Sequence, residues 1–246
     1  MEEITHELAP KVVVHLPKLF GIDMSLTTHT IWLFIAMIVA FLFIYAGARR
    51  VQLVPRGVQN VVESLLDFVR NGMIDDIIGP EGRGWFPFIA TLFIFILFAN
   101  MLGLIPGAKT ATSITGTTAA WAIIVFIAYN YIGVRKKGPV GYLKSFVPHG
   151  VPAWLAPIMF VLELVSHLLR PFSLAVRLFA NMVAGHLVLA IFTLFAMQIA
   201  FLPLKGLPLV AVVIVLMFEI FVAAIQAYIF AVLAAIYIGG ALSEEH

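Results

Sequence analysis

Apolar positions in this chain gather into long runs parted by short polar stretches, with one amphipathic exception. The first run, 31–48, carries Trp32 near one end and Tyr45 near the other, and is followed by Arg49, Arg50 and Arg56. A run of about 18 apolar residues spans a bilayer core, and interfacial aromatics with basic residues on the cytoplasmic side complete the pattern of a spanning helix. Positions 57–74 differ: Val58, Val61, Val62, Leu65 and Val69 recur at helical spacing, while Asn60, Glu63, Asp67 and Arg70 take other faces. That predicts an amphipathic helix, either lying on the cytoplasmic interface or packed on another subunit, and ended by Asp75-Asp76 and Gly79-Pro80.

Runs 85–104 and 119–134 predict two further spans, with Trp121 at the outer interface and Tyr129 and Tyr131 at the inner one. The loop between them, AKTATSITGTT, carries only Lys109 as a charge and is expected outside. The last two runs, 156–202 and 208–238, are too long for upright spans. Pro157 marks the start of the first and Pro171 interrupts it, yet the 31 residues beyond Pro171 would still measure about 46 Å against a core of about 30 Å. Both helices are expected to tilt strongly, or to kink and extend into water. Residues 1–29, broken by Pro10, Pro17 and Gly21, read as a loop with a short surface helix. The chain is thus expected to be an all-α integral membrane protein, one membrane domain with about five membrane helices and an amphipathic interfacial helix.

Composition sharpens this. Hydrophobic residues make up 62% and charged ones 11%, too few polar groups to coat a soluble protein of this size. A net charge of +2 gives no reason to expect nucleic acid as a partner. The absence of cysteine excludes disulfides, thiolate metal sites and cysteine catalysis. MEEITHELAP lacks the basic and apolar regions of a cleavable signal peptide. Basic clusters follow the first and third spans (Arg135, Lys136, Lys137 and Lys144 in the latter case), which puts the N-terminus outside and the C-terminus in the cytoplasm.

The candidate chemistry lies in Glu163 to His186, ELVSHLLRPFSLAVRLFANMVAGH. At about 100° per residue, Glu163, Ser166, Arg170, Ser173, Asn181 and Ala184 fall within about 40° of Arg177, with His167 further round and His186 opposite. Charge inside a bilayer is costly, so such a stripe points to function. A guanidinium stays charged and can hold an anion but cannot relay a proton. No acid lies within a turn of Arg177 on its own helix. Its partner is therefore Glu219 on the last helix, or a carboxylate on another chain that comes and goes. Small residues around it (Ala175, Ala180, Ala184, Gly185), and Ala224, Ala227, Ala231, Ala234 and Ala235 on the last helix, suit a close moving partner or simply close helix packing.

Glu219 and Gln226 share a face, and with His186 they would make an imidazole–carboxylate–amide cluster; an imidazole titrates near physiological pH, which suits proton relay. Glu163, Ser166 and His167 would line a second polar route towards the cytoplasm, or snorkel to the interface, as Arg170 would. His6, His15, His29 and His149 sit in polar stretches without ligand spacing and receive no function. Phosphate loops, HExxH and nucleophile motifs are absent. A secondary transporter with an anionic substrate on Arg177 would show inverted repeats, and none is visible; a purely structural membrane subunit remains a further alternative.

RLFANMVAGH at 177–186, preceded by Arg170-Pro171-Phe172-Ser173-Leu174, strongly resembles the signature of subunit a of F-type ATP synthases, the membrane stator beside the rotating c-ring. The Glu219…Gln226 pair, the SEEH end and the order of elements are similar too, and the resemblance covers essentially the whole chain. It implies proton translocation through two offset half-channels, coupling the proton gradient to ATP synthesis by a subunit that is not itself an enzyme. Arg177 would match the essential arginine facing the ring carboxylate. Glu219, His186, Asn181 and Gln226 would line the outer proton path; Glu163, Ser166 and His167 the inner one. Many bacterial members carry a carboxylate at the position of His186 and an imidazole at that of Glu219; here the two are exchanged, as in mitochondrial relatives. The implied partners are the c-ring, the peripheral-stalk b subunits, the rest of the F1Fo complex and the lipid bilayer, with no cofactor and no metal. The implied setting is a bacterial inner membrane.

Overall fold

The structure, a computed structural model, describes residues 12–15, 17, 25–49, 51–105, 108, 110–147, 150–152, 154–198 and 202–243, with backbone only at 196–198 and 202–209. Six α-helices are seen among the described residues: α1 Thr28–Ala48, α2 Val58–Val69, α3 Phe86–Gly103, α4 Thr115–Lys144, α5 Ala156–Gln198 and α6 Leu202–Leu242. All but α2 are long and apolar enough to cross a membrane. Two short strands, β1 Val12–Val14 and β2 Leu26–Thr27, pair antiparallel before α1. A ladder thus stands in part of the region expected to hold a loop and a surface helix. The hydroxyl of Thr27 caps α1 by accepting from the Thr30 amide at 3.4 Å. The helix therefore starts before position 31, and His29, read as a loop residue, is buried in its first turn. His6 and His149 lie outside the described residues.

The α2 helix packs on its own chain. Gly47 of α1 receives Val62 so closely that a Cβ there would lie 2.7 Å from the valine. The buried face is Gln59, Val62 and Val69, while Val58 and Val61 are about half exposed, so the inward face is turned from the one read off the valine spacing. Gln59 explains the turn: its amide donates to the Gln52 carbonyl at 3.0 Å and to Glu63 Oε1 at 2.7 Å, so a buried polar group is satisfied. A π-helical turn, Arg70–Asp75, and a 3-10 turn, Pro80–Trp85, lead into α3.

The core forms around α3. Ile89, Phe93, Ile96 and Ala99 on α3 pack with Trp121, Val125 and Tyr129 on α4 and with Ala227, Ala231, Ala234 and Ala235 on α6, all buried. The alanine stripe of α6 therefore serves ordinary close packing. Trp121 is buried against Phe95 at 5.2 Å between ring centroids. Tyr129 is buried as well, whereas Tyr131 is exposed.

The α4 helix extends ten residues beyond the expected end at 134, with a break at Gly138 (φ 71°, ψ 162°) ahead of Pro139. Proline disfavours helical geometry in the residue before it, and glycine accepts the left-handed φ that results. In contrast, α5 runs unbroken through Pro171 for 43 residues, about 64 Å, roughly twice the thickness of a bilayer core. The antiparallel register of α5 and α6 is marked by three contacts: Arg170 with Tyr237, Asn181 with Gln226, and Gly185 with Glu219.

Candidate functional site

The α5 stripe faces outward. Ser166, Ser173, Arg177, Ala180, Asn181 and Ala184 are all exposed, and no ion pair among the described residues includes Arg177. Glu219 is not its partner: both carboxyl oxygens of Glu219 are buried without a hydrogen-bond partner among the described residues. In-chain neutralisation of Arg177, one of the two expected arrangements, is thereby excluded for the described residues. Leu174, Ala175 and Leu178, on the adjoining flank of the helix, are buried and anchor it while Arg177 stays exposed.

Cavities with titratable side chains in their walls lie on either side of this arginine along the hairpin. The first, about 560 Å³, is lined by Asn181, Gly185, His186 and Glu219 among apolar neighbours that include Leu104, Ile214 and Phe218. Gly185 leaves room for the carboxyl there, since a Cβ would lie 2.5 Å from Glu219 Oε1 and displace it. Gln226, buried, accepts a hydrogen bond from Asn181 Nδ2 at 2.6 Å. His186 Nε2 is hydrogen-bonded with the Thr110 hydroxyl. The 110–113 stretch packs into the bundle: Ala111 and Thr112 are buried, and Thr112 donates to Asn100 Oδ1 at 3.0 Å while Asn100 Nδ2 donates to the Ala223 carbonyl at 3.4 Å. Four elements (α3, the 3-10 turn Ala111–Ser113, α5 and α6) therefore meet in one polar seam.

The second cavity, about 290 Å³, is lined by Glu163, His167, Arg170 and Tyr237 of the hairpin and by Lys137, Tyr142 and Ser145 from the end of α4 and just beyond it. Arg170 donates to Glu163 Oε1 at 3.0 Å, and its guanidinium lies 5.5 Å from the centre of the Tyr237 ring. It therefore bridges Glu163 on α5 and Tyr237 on α6. His167, almost fully buried, sits among Phe126, Tyr129 and Phe146, with ring centroids 5.0–5.4 Å away. Its Nε2 donates to Asn130 Oδ1 at 3.0 Å, which also accepts from the Tyr142 hydroxyl at 3.0 Å. The break at Gly138 brings Tyr142 back along α4 onto Gly133, where a Cβ would overlap its ring. Ser166 does not line this cavity; it stands on the exposed stripe with Arg177.

Comparison with protein families matches residues 30–239 to the family described as ATP synthase A chain. A relative named ATP synthase subunit a from Magnetococcus marinus is 45% identical, across 98% of this chain and 93% of its own. Relatives of the same name from Neorickettsia sennetsu and Ehrlichia canis are 38% and 36% identical, across 95% of this chain and 96% and 95% of theirs. The chain belongs to the ATP synthase A chain family. It is an all-helical membrane member of it.

Sequence reading of this family member missed several polar groups that the fold brings to the cavities. Asn100 and Asn130 were visible as lone amides inside apolar runs, and a buried amide needs partners. Thr110, Thr112 and Tyr142 carried no such signal, because their relevance depends on a loop turning inward and on the break at Gly138.

Proposed function

We propose that the chain is the proton-conducting stator subunit of the membrane sector of an F-type ATP synthase. Its partners are then a rotating c-ring, the peripheral-stalk b subunits and the rest of the F1Fo complex. The single observation carrying this reading is an exposed guanidinium at mid-helix in a membrane span, unpaired among the described residues and flanked along the hairpin by two cavities that each hold a carboxylate and an imidazole in their walls. A permanent charge so placed needs an anion from outside the chain. A ring carboxylate that arrives deprotonated, exchanges its proton and departs meets that need.

Protons enter from the outside by the cavity holding Glu219 and His186, assisted by Asn181 and Gln226, and pass to the ring carboxylate. After nearly a full ring rotation they leave by the cavity holding Glu163, with His167 in its wall and Ser166 on the stripe beside it. Arg177 blocks the direct path between them, because protons cannot cross a fixed cation without its giving up charge. Glu163 and His186 are 23 residues apart on α5, about 35 Å of helix, so a tilted α5 would offset the routes across the membrane. The driving force is about 2.3 kcal/mol per proton for each 100 mV, with the pH gradient added. The chain makes no phosphate bond itself; that chemistry belongs to the rest of the complex. The bacterial inner membrane, with the N-terminus outside and the C-terminus cytoplasmic, is the setting that the basic residues after α1 and in α4 support.

Arg177→Ala tests this reading. Assembled complexes should persist in membranes while ATP-driven proton pumping into inverted vesicles disappears. Pumping at the unsubstituted rate would refute it.

A further inference from the structure

We propose that the Arg170–Glu163 pair is a charge-cancelling device: Glu163 and the Tyr237 ring hold Arg170 away from the anion that Arg177 receives, leaving Arg177 the one net cation on the stripe. This rests on the reading of Arg177 given above. Arg170 lies two turns before Arg177, about 10 Å along α5 and within about 20° of the same face. Two guanidiniums so close in a poorly screening medium would both attract a carboxylate passing the helix.

The structure treats the two arginines differently. Arg177 is exposed and has no ion pair among the described residues. Arg170 is 3.0 Å from Glu163 and 5.5 Å from the Tyr237 ring centre, so one neighbour cancels its charge and the other fixes its plane against α6. Lys137, Tyr129, Tyr142 and His167 also border this cavity, but only Glu163 supplies a carboxylate to it. Arg170 is accordingly a positioning residue: it acts through Glu163 and through the field around Arg177.

The device has a signature that a proton-carrying role for Glu163 alone lacks. Glu163→Gln frees Arg170 to compete for the moving anion. Arg170→Gln leaves a fixed carboxylate beside the stripe that weakens the pull of Arg177. Removing both restores neutrality. Passive proton conductance should be measured in F1-stripped inverted vesicles of the whole complex, under an imposed potassium diffusion potential and normalised to assembled complex. Both single variants should fall, and the double variant should exceed Glu163→Gln by about threefold or more, within the scale of coupling between contacting residues. Arg170→Lys, which keeps charge and reach, should recover most of what Arg170→Gln loses.

A double variant no better than Glu163→Gln overturns the proposal. So does a set of losses that follows the amount of assembled complex while conductance per complex is unchanged, since that is a structural role. Arg177→Ala, read by ATP-driven pumping in unstripped vesicles, keeps the two readings separable: pumping retained there refutes the proposed function, whereas pumping lost there with no recovery of conductance in the double variant refutes only the charge cancellation.

Discussion

Gly185 on α5 and the carboxyl of Glu219 on α6 occupy each other's space: any side chain at 185 would bring a Cβ within 2.5 Å of Glu219 Oε1. Bare backbone at that point lets a buried carboxyl rest against the neighbouring helix and still line the cavity it shares with His186 and Asn181. Small residues in membrane helices commonly permit backbone approach; here the smallest one makes room for a functional group.

Gly185→Ala should therefore act as a displacement of Glu219. Overpacking of a fitted site costs about 1–3 kcal/mol, part of it met by rotation of the carboxyl. ATP-driven proton pumping in inverted vesicles should drop by roughly tenfold, the equivalent of about 1.4 kcal/mol, with the complex still assembled. Gly185→Ala with unaltered pumping would mean that the position of Glu219 is not limiting.

The Asn181–Gln226 hydrogen bond crosses the hairpin at 2.6 Å between an exposed amide and a buried one. Interhelical hydrogen bonds in membranes are worth about 0.6 kcal/mol on average and reach about 1.7 kcal/mol. A double-mutant cycle of Asn181→Ala and Gln226→Ala, followed by detergent unfolding of the chain, should return coupling in that range. Strictly additive losses would show that the contact contributes nothing beyond packing.

Much of this architecture was legible in the chain, for an identifiable reason. A bilayer admits few solutions, so long apolar runs announce helices whatever their partners, and Arg177 could be singled out because charge in lipid is rare. The lack of a nearby acid on its own helix left two partners open, Glu219 or another chain, and only the fold, which buries Glu219 away from it, chose between them. What could not be read was anything set by one chain segment meeting another. Pro171 looked like an interruption, yet α5 continues through it. The valine spacing of α2 pointed to one face, and buried Gln59 turned it to another. Thr110 looked like an ordinary loop residue and is hydrogen-bonded with His186.

That last contact is testable. Thr110→Val keeps the shape and removes the hydroxyl, whereas Thr110→Ser keeps the hydroxyl. Loss of a typical hydrogen bond costs about 1 kcal/mol. Proton pumping should fall by about fivefold in the valine variant and stay near the unsubstituted rate in the serine variant. Equal rates in both would show that the 3-10 turn Ala111–Ser113 and its flank only fill space beside the outer cavity.

The wall contributed by α4 gives the final expectation. Tyr142 reaches Asn130 because Gly138 takes a left-handed φ of 71° and because Gly133 offers no side chain beneath the ring. Alanine at the two glycines should therefore fail in different ways. Gly138→Ala imposes backbone strain of about 1–3 kcal/mol at a positive φ with extended ψ and no steric clash, since open space surrounds its Cβ direction. It should lower stability without closing the cavity. Gly133→Ala pushes Tyr142 off α4 and removes its hydrogen bond to the amide that also holds His167. Conductance per assembled complex in F1-stripped vesicles should consequently fall in Gly133→Ala and hold in Gly138→Ala, while detergent unfolding registers both. The reverse order would mean that the segment after Gly138 is a connector rather than a wall of the inner cavity.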